Sequence, residues 1–209
     1  MDGYQLNPIE VRVLGALAEK QALTPDAYPM TLNALIGACN QLTSREPVMK
    51  LEEGEIQNAL DALIANKLVA ERTPAGSRVS KYEHRIPYEW NIDGARLAAL
   101  CLLMLRGAQT SAEIRARSGR IYNFTSSDEV ETALMALADK YPPMVQKLPR
   151  QPGSREARWA HLLSDNQVVE ATDDCGTIDL GLTGRVVALE AQVEALKTRL
   201  AQLEAQLED

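Results

Sequence analysis

Apolar residues recur at helical spacing in two places, and the same elements follow each. Ile56, Leu60, Leu63 and Ile64 make one apolar helix face, and Val130, Leu134 and Leu137 repeat it. Each stripe leads into a short β-type run (Leu68-Val69, then Val145), a turn at Pro74/Gly76 or Pro152/Gly153, and a second run ending in His84 or His161. Glu55–Leu63 aligns with Glu129–Leu137, Gly76-Ser77-Arg78 with Gly153-Ser154-Arg155, and Tyr82 and His84 with Trp159 and His161. The period is too long for a solenoid, so the pattern predicts two copies of one domain. A helical pair feeding a third helix and a β-hairpin is a winged helix-turn-helix. The expected fold class is therefore mainly α with small β-hairpins (α+β): a winged-helix domain over 1–86 and another over 87–163.

The segments between the stripes fit this plan. Asn7-Pro8-Ile9-Glu10 carries a cap, a first-turn proline and an acid at the positive end of a first helix, with Val13, Leu14 and Leu17 as its buried face. A second helix is expected from about Thr31 to Cys39. The polar insertion Asn40–Met49 is far longer than the roughly 3–4 residues usual inside a helix-turn-helix. It reads either as a functional loop or as a segment packed down by Leu42, Val48 and Met49. A linker is expected at Arg85–Trp90. The second copy opens with a helix from about Ile92 to Leu105, apolar on one side. Thr110 or Ser111 caps the next helix, and Ser126 or Ser127 the third.

From 164 to 181 the chain turns polar and reads as a flexible linker. A strict heptad then occupies 182–209. Val186, Val193, Leu200 and Leu207 fill one core position, and Leu182, Leu189, Leu196 and Leu203 the other. Valine and leucine in those places favour a parallel pair, in which Arg185 meets Glu190 and Arg199 meets Glu204. A homodimer through this C-terminal coiled-coil helix is expected.

Composition narrows the chemistry. The 209 residues carry a net charge of -7, so the balance by itself does not point to nucleic acid. The three cysteines, Cys39, Cys101 and Cys175, are scattered, which suggests neither a zinc site nor a disulfide framework and favours a reducing cytoplasm. The N-terminus has no signal-peptide pattern, and the longest apolar run, Leu97–Leu105, is about half of a membrane span. No phosphate-loop, HExxH or GxSxG motif is present, so neither an enzyme, a metal nor a cofactor is expected. His84 and His161, at equivalent strand ends, read as hydrogen-bonded structural residues.

The distribution of charge is more informative. Phosphate contacts need Lys and Arg, yet Glu52, Glu53, Glu55 and Asp61 make the first copy's third helix acidic, and Asp128, Glu129 and Glu131 do the same in the second. The wings are basic. Candidate nucleic-acid residues are Arg78 and Lys81 in the first copy. In the second they are Arg115, Arg117, Arg120, Lys147, Arg150, Arg155 and Arg158, opposed by the reading that wing arginines simply pair with Glu83 or Glu156. Candidate protein-contact residues in the insertion are Asn40, Gln41, Arg45 and Glu46.

Several motifs together resemble the YceH family of uncharacterised bacterial proteins. They are Glu19-Lys20-Gln21, Tyr28-Pro29, Ala38-Cys39-Asn40-Gln41, Arg45-Glu46-Pro47-Val48-Met49, Lys81-Tyr82-Glu83, Leu105–Thr110, and Pro152-Gly153 with Arg155-Glu156. The resemblance covers nearly the whole chain. It implies a tandem winged-helix fold in a bacterial cytoplasm, with no established activity, substrate or binding residue. Two functions stay open: a non-enzymatic dimeric regulatory or scaffold protein that binds DNA weakly through the second wing, or a protein–protein interaction module using the same scaffold without DNA.

Overall fold

The order of elements repeats. The computed structural model describes residues 5–73, 76, 79–150, 153–154 and 156–164. Its first half runs α1 (Pro8–Leu23), a 3-10 turn (Pro25–Ala27), β1 (Met30–Thr31), α2 (Leu32–Cys39), α3 (Glu53–Ala65), β2 (Val69–Arg72) and β3 (Lys81–His84). A short helix α4 (Ile86–Glu89) follows. The second half runs α5 (Gly94–Arg106), α6 (Ser111–Ser118), α7 (Ser127–Ala138), β4 (Val145–Lys147) and β5 (Trp159–His161). Both sheets are antiparallel, one ordered β1-β3-β2 and the other β4-β5, so the fold is α+β. Met30 lies opposite Tyr82, and Gln109 bridges Trp159 at the matching place in the second half. Of the expected linker 164–181 only Ser164 is described, and it is buried; the rest of it and the heptad seam Leu182, Val186, Leu189, Val193, Leu196, Leu200, Leu203 and Leu207 lie outside the described residues.

Local signals set the helix ends. The Asn7 side chain accepts from the Ile9 and Glu10 amides at 2.9 Å each, and Glu10 returns a carboxylate oxygen to the Asn7 amide at 3.0 Å. That reciprocal cap satisfies donors the first turn would leave open. Thr110 caps α6 by the same reciprocal pair with Glu113, and Thr31, at the equivalent place in the first half, caps α2 one way by accepting from the Ala34 amide. Ser126 caps α7. The linker expected at Arg85–Trp90 is instead α4, because Ile86 and Trp90 are apolar enough to be drawn into the core.

Two helices are enclosed on every side. Ten consecutive residues of α1, Glu10–Glu19, and eight of α5, Ala98–Leu105, are buried. Helix α5 was expected to be apolar on one side. It is buried all round because α1 packs on it as well as α6, α7 and β5. Fully enclosed leucines (Leu14 and Leu17 on α1, Leu100 and Leu103 on α5) belong to one core cluster that spans both halves. Each contributes about 1.5–3 kcal/mol of transfer free energy.

The crossing of α1 and α5 is close at Gly15. A Cβ there would lie 3.0 Å from Leu105 Cδ2 and 3.1 Å from Met104 Cβ. The Cys101 thiol also approaches the Gly15 carbonyl at 3.5 Å. A methionine Cβ is fixed to its backbone and cannot retreat, so extra volume must push the helices apart. Gly15→Val is expected to lower the unfolding free energy by about 1–3 kcal/mol in urea titration. Gly37→Ala, on α2 with nothing within 4 Å of its added Cβ, is expected to raise it by about 0.5–1 kcal/mol. A gain at Gly15 would show that the crossing has room.

Candidate nucleic-acid interface

The insertion between α2 and α3 is long but firmly tied down. Its ends meet: the Asn40 amide donates to the Leu51 carbonyl and accepts from the Leu51 amide, both at 2.8 Å. Arg45 is 5 % exposed and turned inward. Its guanidinium grips both oxygens of Glu19, at 3.1 and 2.6 Å, and also donates to the Ala38 and Ser44 carbonyls. Arg12, buried on the same helix as Glu19, donates to the Cys39 and Pro47 carbonyls. The Glu46 amide donates to the Leu105 carbonyl at 2.8 Å, at the end of α5.

The loop is therefore held by charge rather than by the apolar residues expected to pack it. Leu42 is 79 % exposed and Val48 49 %. Of the four candidate contact residues, Arg45 is spent inside the fold and Asn40 in closing the loop; Gln41 is half-buried and Glu46 exposed. Nothing in the hydropathy pattern separates Arg45 from an exposed arginine. Its partner Glu19 lies on another element, which only the fold brings near.

The two third helices differ in how they use their acids. In α7, Glu129 accepts from the Tyr122 hydroxyl and from the Thr125 amide and hydroxyl, contacts that hold its carboxyl below the usual range. Glu131 accepts from Ser111, Lys147 and the Trp159 indole. Burial by itself would raise its pKa; those donors outweigh it and hold the carboxylate below its ordinary value. In α3, Glu55 turns back to the Glu52 amide at 2.8 Å, while Glu53 and Asp61 remain exposed.

The basic candidates separate into engaged and unengaged residues. Arg158 donates to the Ala108 carbonyl and to Glu113, Arg117 to Gln109 with Glu113 nearby, and Lys147 to Glu131. The expected partners of the wing arginines were Glu83 or Glu156. For Arg158 the partner is Glu113, which α6 places beside β5. In the first half Glu83 does hold a hairpin arginine, Arg72, at 2.6 Å. Arg115, Arg120 and Arg150 are exposed and have no acidic partner among the described residues. Lys81 is half-buried on β3. Arg78 and Arg155 lie outside the described residues.

The two histidines are buried at 4 % and 1 % exposure, and burial pushes both pKa values down to about 4. His84 Nε2 lies 2.6 Å from the Gln21 side-chain oxygen, and the Leu163 amide donates to His161 Nδ1 at 3.4 Å. Cys39 is also buried, its thiol pushed up to about 12. Among the described residues no group of three or more His, Cys, Asp or Glu is placed to hold a metal ion. Among the same residues no helix is long and apolar enough to cross a membrane.

Two measurements test these assignments. Arg45→Ala strands Glu19 in the interior and is expected to cost about 3–5 kcal/mol in denaturant titration. Leu42→Ser should stay within about 0.5 kcal/mol. Equal small effects would show that the pair does not hold the loop. The histidines give a pH dependence. A folded pKa of about 4, against about 6.5 in the unfolded chain, means the unfolded state takes up protons first as pH falls. Stability is then fully present above pH 6.5 and declines toward pH 4, by about 2–3 kcal/mol per histidine. The double variant His84→Gln/His161→Gln should flatten that decline in melts from pH 7 to 4.

Comparison with known proteins agrees with the motifs. A family model described as "Protein of unknown function, DUF480" matches residues 6–154. A UPF0502 protein of Chromobacterium violaceum is 72% identical over 207 residues, covering 99% of this chain and 94% of that one. One from Janthinobacterium sp. (strain Marseille) is 52% identical over 200 residues, 95% of this chain and 86% of its own. One from Shewanella loihica is 44% identical, covering 95% and 98%. Matches of this extent and identity mean that the chain belongs to the DUF480 family of bacterial proteins, also called UPF0502 and YceH.

Proposed function

We propose that each half is a winged helix, and that the protein is a non-enzymatic, dimeric regulatory or scaffold protein of the bacterial cytoplasm that holds DNA weakly through its second half. The repeated order of helix, short strand, two helices and hairpin supports the winged-helix reading. The heptads from Leu182 to Leu207 support the dimer. One observation carries the DNA reading. Arg115, Arg120 and Arg150 stand exposed without acidic partners among the described residues, while Glu129 and Glu131 on the same half are turned to its own donors. These guanidiniums of the second half are thus open to an outside anion. In the first half, Arg72 is held by Glu83, and Glu53 and Asp61 face outward. Contacts of this kind fall on phosphates and carry no base sequence.

A second reading, a protein–protein interaction module, draws on the braced loop, where Leu42 and Val48 are exposed on a rigid base. Fluorescence anisotropy of a mixed-sequence duplex, titrated over salt, separates the two. Each neutralised phosphate contributes a slope of about -0.9 in log affinity against log salt. Arg120→Ala/Arg150→Ala is expected to reduce the slope by about 1.8 while leaving the melting temperature unchanged. No duplex binding at low salt would remove the DNA reading and leave the loop as the contact surface.

A further inference from the structure

We infer that the cleft between α6 and the start of α7 seats a phosphate group. Helix α6 ends at Ser118, and Gly119, with φ 48°, turns the chain in a conformation that favours glycine. The chain then returns past Asn123 and Phe124 to Ser127 at the start of α7. Between these segments lies a cleft of about 380 Å³ whose lining includes Arg115, Ser118, Gly119, Asn123, Phe124 and Ser127. No carboxylate lines it. The side chains of Arg115, Asn123 and Ser127 have no hydrogen-bond or ion-pair partner among the described residues.

The chemistry of those groups is specific. A guanidinium, which only donates and carries a fixed positive charge, lines the cleft with an amide and a hydroxyl that can each donate. A phosphate suits this set, because it is negative and presents several acceptor oxygens on one small centre. The acids closest in sequence do not occupy the cleft: Glu129 is turned to Tyr122 and Thr125, and Asp128 is not part of the lining. In the first half the segment between α2 and α3 is the braced loop, where Arg45 is turned inward to Glu19. The second half keeps its arginine outside, over an open cleft.

The phosphate belongs either to a nucleic-acid backbone, in which case the inference rests on the DNA reading, or to a small phosphorylated molecule, in which case it stands without it. Two assays on the full chain distinguish these sources. One is duplex anisotropy over salt. The other is thermal melting in rising inorganic phosphate at constant ionic strength. The variants are Asn123→Ala/Ser127→Ala, which changes no charge, and Arg115→Gln, at an exposed position.

With a backbone phosphate in the cleft, the double variant weakens duplex binding about tenfold at an unchanged salt slope, and Arg115→Gln also lowers the slope by about 0.9. With a free phosphate as the source, inorganic phosphate raises the wild-type melting temperature, and both variants lose that rise even where no duplex binds. Duplex affinity, slope and phosphate-dependent melting all unchanged in both variants would overturn the inference.

Discussion

The whole arrangement depends on two helices that have no exposed side. Helices α1 and α5 are buried along most of their lengths and cross where Gly15 meets Leu105 and Met104. Each is the first helix of its half. The two copies therefore do not merely follow one another in sequence; they share a core through their first helices. Further backbone bonds run between the halves: Glu46 to Leu105, and Leu6 to Leu163 at 2.9 Å. A core made this way resists change of volume, because a side chain added at the crossing has no surface to move toward.

Charge inside this core does the work that loops usually leave to apolar anchors. Glu19 sits on the most enclosed helix, and Arg45 reaches it from the insertion. An ion pair out of water contributes little net stability, but either partner left alone is costly. The pair is thus better understood as specifying where the loop lies than as strengthening the fold. Arg12 adds bonds from the same helix to the two ends of the α2–loop junction. The long insertion is thus tied to the core by its polar groups, with Leu42 and Val48 exposed.

The same accounting explains how an acidic protein can present a basic face. In the second half three acids are engaged locally, while Asp128, Asp139 and Glu156 stay exposed: Glu113 caps α6 and holds Arg117 and Arg158, Glu131 serves three donors, and Glu129 serves the chain ahead of α7. The arginines without an acidic partner among the described residues are Arg115 on α6, Arg120 in the α6–α7 loop and Arg150 after β4. Net charge counts every residue once and is blind to pairing, which is why a total of -7 and a locally positive surface coexist.

The sequence by itself determined the main helices and hairpins of the two halves and their repetition, but not β1 at Met30–Thr31. Helical stripes such as Ile56, Leu60 and Leu63, caps such as Asn7 and Thr110, and Gly/Pro turns are local signals, set by spacing and backbone chemistry within a few residues. They placed every helix of the two copies to within a residue or two, except α4, whose four residues are too few to show a period. Only the tertiary structure decided which polar groups are available. Arg45 and Arg115 look alike in sequence, yet one is enclosed against Glu19 and the other lines an open cleft. Burial all round α5, the spending of Glu131, and the Gly15 crossing likewise depend on residues far apart in the chain. A linear pattern reports which faces are apolar, but what each face meets is set only when the helices pack.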